Sequence, residues 1–351
     1  MVPISPAVST RSFSEAISRA VTELEWLAFF LPRKGVQALA RRVPLAALRD
    51  RLPPAVSRKL RLGLYPARIT TPPSVACLRR HAAWGDPVDL DPARPVRFAG
   101  TPRASVLMPT YGNVDLTRLC LASLQRAAGP VSFEVIVVDN LSTDGTRDFL
   151  RSAAGRGVLP LRVVENPANL GFSRANNQAA ALARGDVLVF LNNDTVVLPG
   201  WLEGLVGHLD ANPSIGLLGP VTNSCGNEAE VGTAYGDLDE MERFAGAYVR
   251  AHAGELADIP MLTLFCAAMP RELFRTLGGL DERYGLGMFE DDDLSEAVRR
   301  AGRRVVLARD VFVHHYGGAA WSRQGDYAYL RQWWWNRRLF EDKWGKSWQK
   351  R

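Results

Sequence analysis

The feature that most limits what this chain can fold into is a repeated phrase. A short apolar run breaks off into polar turn residues, a helical pattern follows, and then comes another such run. Ser105-Val106-Leu107-Met108 stops at Pro109-Thr110-Tyr111-Gly112, and Phe133 to Val138 stops at Asp139-Asn140. Leu161 to Val164 stops at Glu165-Asn166, and Val187 to Leu191 stops at Asn192-Asn193-Asp194. Runs this short, bounded by turn signals, read as buried strands. Between them Leu116, Leu119, Cys120 and Leu124 recur on one helical face, and short helices are predicted over 146–154 and 172–183. Pro199 suits the first turn of a further helix reaching Ala211, and Ile215–Leu218 reads as a fifth strand. Strands alternating with helices predict an α/β fold with a mainly parallel, doubly wound sheet. Such sheets bind ligands beyond the carboxyl ends of their strands, so the four polar strand ends indicate where to look for a site.

Composition supports a folded chain: 47% of the 351 residues are apolar and 23% charged, near the globular average. The net charge of +6 is uneven. Residues 1–100 carry 16 Lys/Arg against 7 Asp/Glu, and the remainder carries 27 against 30. This basic region is Pro- and Arg-rich, with short amphipathic helices predicted at 12–31 and 34–51. It suits an anionic membrane surface or an acidic partner. It holds no recognisable nucleic-acid-binding motif, so nucleic acid is not an expected partner. Met1 to Ala20 lacks the apolar core of a signal peptide, and the run Trp26 to Leu31 ends at Pro32. That run is far short of the roughly 20 residues of a membrane helix. The expected location is therefore the cytoplasm, or the cytoplasmic face of the inner membrane as a peripheral protein. Cys77, Cys120, Cys225 and Cys266 form no C-x-x-C pair and read as thiols in a reducing compartment.

Four stretches carry chemistry. Asp139, at a strand end, is placed to accept hydrogen bonds from a base or ribose, though it also suits a turn. Asn192-Asn193-Asp194 offers a carboxylate and amides of the kind that hold a hard divalent cation against phosphate, or equally a helix cap. Glu290-Asp291-Asp292-Asp293 opens a predicted helix to Ala301, behind Met288-Phe289. The helix dipole accounts for one or two of these acids. Four crowded carboxylates push pKa values apart, which suits a general base or a metal-assisted site. His314-His315 ends the apolar run Val311-Phe312-Val313, and alternation sends one ring to each side of the strand.

Taken together, these segments resemble glycosyltransferase family 2, the inverting transferases of the GT-A fold. The matching pieces are SVLMPTYGN (105–113), VIVVDNLSTDGT (135–146), NPANLGFSRANN (166–177), VFLNNDT (189–195), GGLDERYGLGMFEDDDLS (278–295) and VHHYGG (313–318). They fall in the family's order across roughly 104–322. The match is nearest to bacterial enzymes of O-antigen, capsule and similar polysaccharide biosynthesis, several of them rhamnosyltransferases. The resemblance implies that Pro109, Thr110, Tyr111, Asp139, Asn140, Asn166 and Asn169 hold the nucleotide, with Gly171 and Asn176 shaping the loop beside the sugar diphosphate. It puts Asn192, Asn193 and Asp194 at the family's D-x-D-like motif, with Asp194 as ligand to Mn²⁺ or Mg²⁺ and His314 or His315 nearby. Asp291 matches the general base, flanked by Glu290 and Asp292. Acceptor contacts are placed by position at Thr222, Asn223, Phe265 and Cys266. The implied reaction moves a sugar, of the hexosyl class, from a nucleotide-diphosphate donor to a hydroxyl of a glycan or lipid-linked acceptor.

The expected organisation is a basic region (1–100), a catalytic domain (101–322) and a Trp- and Arg-rich extension (323–351). Trp333-Trp334-Trp335, Trp344 and Trp348 suit either a helix that closes the catalytic domain or a contact with the membrane interface. Two rivals remain. A sugar nucleotidyltransferase would want a Gly-rich, basic loop where Pro109-Thr110-Tyr111-Gly112-Asn113 stands. A non-catalytic nucleotide-sugar-binding scaffold would not need the intact acid cluster. A dehydrogenase is disfavoured because no G-x-G-x-x-G follows a strand.

Overall fold

A computed structural model describes residues 88–317 and 326–349. The expected helices at 12–31 and 34–51, and Cys77, lie outside the described residues. The first four strands are β1 (Ala104–Thr110), β2 (Phe133–Asp139), β3 (Leu161–Glu165) and β4 (Val187–Leu191). They are joined by α1 (Val114–Arg126), α2 (Thr146–Arg156) and α3 (Phe172–Leu182). The short β5 (Thr195–Val196) follows, then α4 (Trp201–Ala211) and β6 (Ile215–Val221). These elements match the periodicity of the sequence closely.

The next stretch was not anticipated. It comprises α5 (Leu238–Ala251), β7 (Leu256–Asp258), β8 (Cys266–Pro270) and α6 (Arg271–Thr276). Asp237 caps α5 by accepting from the Glu240 amide. A 3₁₀ turn (Glu282–Tyr284) leads to α7 (Glu290–Arg300), then β9 (Arg304–Phe312), β10 (His314–His315) and α8 (Asp326–Trp344).

The main sheet has the order β3-β2-β1-β4-β8-β6-β9-β7. Parallel pairing joins β3 to β2, β2 to β1, β1 to β4 and β6 to β9. The expected parallel sheet is thus interrupted: β8 runs antiparallel between β4 and β6, and β7 runs antiparallel at the β9 edge. Alternate residues of the strands feed two cores. Val106, Met108, Val135 and Val137 pack with Leu121, Leu150 and Leu205 on one face. Leu107, Ile136 and Val138 pack with Ala175, Met241 and Val298 on the other. Helices therefore cover both faces, as a doubly wound sheet requires. Residues N-terminal to β1 join the same body: Leu90 is buried in the first core, and the rings of Phe98 and Phe133 meet at 5.3 Å.

Candidate active site

The carboxyl ends of β1 and β4 open on a cleft of about 280 Å³. Pro109, Thr110 and Tyr111 from β1, Asn140 after β2, and Asn169 and Phe172 at the start of α3 form one wall. Asn193 ties this wall together, because its Nδ2 donates to Thr110 Oγ1 (3.0 Å), the Gly112 carbonyl (3.2 Å) and Thr117 Oγ1 (2.9 Å). Tyr111 is 40% exposed, an open aromatic face at the mouth.

Asn192, Asn193 and Asp194 lie at the end of β4, where β8 fixes the backbone: the Asn192 amide donates to the Phe265 carbonyl at 2.8 Å. The antiparallel pair of β5 and β10 then brings His315 to Asp194, with Nε2 at 3.3 Å from Oδ1. His315 Nδ1 lies 2.7 Å from the Ser224 carbonyl, which can only accept, so Nδ1 carries the hydrogen there. Nε2 is thereby the nitrogen presented to Asp194 and the cleft. The Phe265 ring stacks on His315 at 4.9 Å. Burial lowers the His315 pKa, but the charge of Asp194 and the hydrogen bond with it outweigh burial, and the net shift is upward.

Glu290 and Asp291, the first residues of α7, line the same cleft as Asp194 and His315. Burial pushes the Asp291 carboxyl up to about 6, against the pull of the Asp292 and Asp291 amides at the helix start. Glu290 is raised well above its ordinary range, by burial first and by the charge of Asp291 second, and its Oε2 has no hydrogen-bond partner. Burial sets both carboxyls above their ordinary range, which suits proton transfer at neutral pH.

Residues 105–278 match the profile described as Glycosyl transferase family 2. This region is a family 2 glycosyltransferase domain. The chain is 29% identical over 276 residues to the O-antigen biosynthesis protein RfbC of Myxococcus xanthus, covering 73% of this chain and 21% of the relative. It is 29% identical over 230 residues to the uncharacterized protein y4gI of Sinorhizobium fredii, covering 63% of this chain and 25% of the relative. The chain thus spans about a quarter or less of the length of these curated relatives. A mannosyltransferase from Pyrobaculum calidifontis, solved with GDP-Man and Mn²⁺, shares the fold with a TM-score of 0.51 at 23% identity, covering 72% of this chain and 67% of that one. The sheet of the family 2 domain is therefore the GT-A sheet.

Several sequence-predicted residues of the domain lie behind the cleft wall. Asp139 is fully buried, and its carboxylate accepts from Arg147 Nε (2.6 Å) and the Ser142 amide (3.0 Å). It therefore shapes the turn beyond β2 rather than lining the cleft. Asn166 is likewise spent on Asn140 Oδ1 and Gln178 Oε1, both at 2.8 Å. Asn176 is buried in α3 and donates to the Phe172 carbonyl. Gly171, at φ 87°, is pressed against the segment before α7: a Cβ there would sit 1.9 Å from the Gly285 carbonyl oxygen.

The histidine pair resolves as alternation predicts. His314 turns away from the cleft to the Tyr235 hydroxyl (2.7 Å), and burial depresses its pKa to about 3. Thr222 and Asn223 do not line the cleft either. Asn223 brackets the His315 backbone, donating to its carbonyl at 3.0 Å and accepting from its amide at 2.8 Å. Cys266 is buried in β8 opposite Leu191, while its neighbour Phe265 does reach the cleft.

Asp292 points the other way from Asp291 and accepts from Trp348 Nε1 at 3.0 Å. Asp293 accepts from Trp344 Nε1 (2.8 Å) and Lys343 Nζ (2.7 Å). The Trp-rich extension therefore spends Trp344 and Trp348 on closing α7, and Trp335 remains exposed at 55%. Sequence reading missed the lining residues Phe172, Cys225, Thr263, Leu264, Leu286 and Gly287. Phe172 opens α3, and the other five sit in irregular segments with no periodic signal.

Among the described residues, no group of three or more His, Cys, Asp or Glu is arranged to hold a metal ion. Asp194 and His315 both face the one cleft and are two side chains there that could ligate a cation. That fits a hard cation which completes its shell with water and substrate phosphate oxygens.

Proposed function

We propose that the domain is the catalytic part of an inverting, metal-dependent glycosyltransferase. It would move a sugar from a nucleotide-diphosphate donor to a hydroxyl of a glycan or lipid-linked acceptor in bacterial surface polysaccharide biosynthesis. One observation carries the reading: a carboxylate pair, buried Glu290 and half-buried Asp291, shares a single cleft with Asp194 and His315 at the carboxyl ends of the strands. The two groups answer the two demands of the reaction. An acceptor hydroxyl is a poor nucleophile until Asp291 takes its proton, and the departing diphosphate needs its charge neutralised.

Asp194 and His315 would hold Mn²⁺ or Mg²⁺, which when bound acts as a Lewis acid on the leaving group. Tyr111 and Asn140 stand where the base and ribose would bind, and Asn193 holds the Thr110 loop in place for them. His315 is kept in register by Asn223 and Ser224. Inversion follows if the acceptor enters from the α7 side and the diphosphate leaves past Asp194. The O-antigen relative supports a polysaccharide acceptor, and a rhamnosyl donor is one candidate within this reading. The basic excess of residues 1–100 suits docking at the anionic cytoplasmic face of a membrane, where lipid-linked acceptors lie. No helix among the described residues is long and apolar enough to cross one.

The test is donor hydrolysis with UDP-, dTDP- and GDP-linked sugars, in Mn²⁺, Mg²⁺ or EDTA. The expected result is release of one nucleoside diphosphate, supported by metal and stopped by EDTA. Nucleotide binding without turnover of any donor, with lipid-linked and glycan acceptors supplied, would instead support the non-catalytic scaffold.

A further inference from the structure

The edge of the cleft that carries the acids is built on strained backbone. Between the turn at Glu282–Tyr284 and the start of α7, Gly285, Gly287, Met288 and Phe289 all have positive φ. Met288 and Phe289, at φ 75° and 74°, are side-chain-bearing residues in the left-handed region. Such conformations persist only where the surroundings over-determine them. Leu286 and Gly287 line the cleft, and Glu290 and Asp291 follow directly.

A side chain from α8, beyond the matched family region, meets this segment from behind. Asn336 is 3% exposed. Its Nδ2 donates to the carbonyls of Tyr284 (2.9 Å), Gly287 (2.8 Å) and Met288 (2.9 Å). Its Oδ1 accepts from Gln332 Nε2 at 3.1 Å, and the same Nε2 donates to the Tyr284 carbonyl at 2.9 Å. Gln332 thus fixes which end of the amide faces the three acceptors. Tyr284, Phe289 and Phe340 pack into a separate apolar cluster around this network, bordered by Trp333, Trp344 and Trp348. The bonds from Trp348, Trp344, Lys343 and Lys346 to Asp292, Asp293 and Glu296 hold the flank of α7. Asn336 and Gln332 hold the backbone ahead of it.

We propose that Asn336 is a positioning residue. By gripping the carbonyls of Tyr284, Gly287 and Met288, it keeps the left-handed turn wound and aims Glu290 and Asp291 into the cleft. This deepens the reading of Asp291 as base and rests on it. In Asn336→Asp the size is kept, but an oxygen faces three carbonyls. In Gln332→Leu the amide loses the bond that orients it.

The experiment compares both full-length variants with wild type by steady-state kinetics, nucleoside diphosphate binding and amide hydrogen exchange. A misaimed base costs about 10²-fold in kcat for Asn336→Asp, since small displacements of a reacting group carry losses of that order. Donor KM and nucleoside diphosphate affinity stay within about two-fold of wild type, because the nucleotide wall lies at the ends of β1 and β2 and the start of α3, and uncoupled sites vary little. Exchange of the 284–291 amides speeds at least about ten-fold, while β1 and β4 keep their protection.

Wild-type kcat overturns the proposal, with or without faster exchange. So does parallel loss of turnover and nucleotide binding, which marks a global defect. If Asn336→Asp does not fold, Gln332→Leu decides by the same split, and failure of both to fold counts against a local role. If Asp291→Asn retains full activity, the base assignment fails separately, and the exchange of 284–291 then decides alone whether Asn336 holds the turn.

Discussion

Asp291→Asn slows sugar transfer by about 10³-fold while leaving donor binding intact, since a general base is typically worth 10²–10⁴-fold. The amide keeps the shape of the side chain but cannot take the acceptor proton. The pH dependence follows from the same carboxyl. Burial raises Asp291 to about 6, and only its ionised form accepts a proton. Wild-type kcat is therefore full above that value and falls as pH drops through it. The residual activity of Asp291→Asn lacks this acid limb.

Stability moves the opposite way. A carboxyl whose folded pKa lies above its unfolded value of 3.8 destabilises the fold when ionised, and protonation relieves that cost. Asp291→Asn accordingly melts above wild type at pH 8, and its advantage shrinks as pH falls through about 6 toward 3.8. Differential scanning calorimetry at pH 8 and pH 5 checks this and excludes unfolding as the cause of lost activity. An unaltered kcat, or a kcat loss with a lower melting temperature at pH 8, would contradict the assignment.

Asp194→Ala costs about 10²–10³-fold in turnover, the range seen when a group stabilising developing negative charge is removed. The lost carboxylate is the stronger of two candidate ligands, so donor affinity in Mn²⁺ falls to the level measured in EDTA. EDTA and the substitution reduce turnover to a similar floor and do not add, because they remove the same interaction. His315→Ala gives a milder loss, about 10-fold, in the range for tuning groups at a metal site. Turnover unaffected by EDTA, with Asp194→Ala still inactive, would mean that the pair works without a cation. The upward shift of the His315 pKa by Asp194 would then favour its imidazolium form as the countercharge.

The part of the fold that was legible in the sequence is the part governed by local periodicity. β1 to β4 and α1 to α4 are uninterrupted apolar or amphipathic segments with clear stops, and the polar residues ending β1, β2 and β4 line the cleft. β8 was invisible for a physical reason. Cys-Ala-Ala-Met-Pro has little β-branched character, and its strand state is imposed by β4 and β6 on either side. α5, with its cap at Asp237 and a strong amphipathic face, was within reach of the same reading.

At the site, residue type indicated the chemistry, but the direction of each side chain came from tertiary packing. The run Glu290 to Asp293 divides between the cleft and α8 because successive helical residues point about 100° apart. The other two acids are claimed by tryptophans 51 and 56 residues away, at Asp293–Trp344 and Asp292–Trp348. Asp139 stands at a strand end, a place that suits a base or ribose, yet Arg147, the second residue of α2, takes its charge. Asn336 left no trace at all, since its three acceptors are backbone carbonyls.

The proposed function requires that the cleft lined by Tyr111, Asn140, Asp194 and Asp291 bind a nucleotide sugar. It is tested most directly by titrating the full chain with UDP, dTDP and GDP and their sugar conjugates in Mn²⁺ by isothermal calorimetry. Saturable one-to-one binding of at least one of them is expected, weakened in EDTA and in Asp194→Ala and unchanged in Asp291→Asn. Absence of binding by every nucleotide, in a protein shown to be folded, would contradict it.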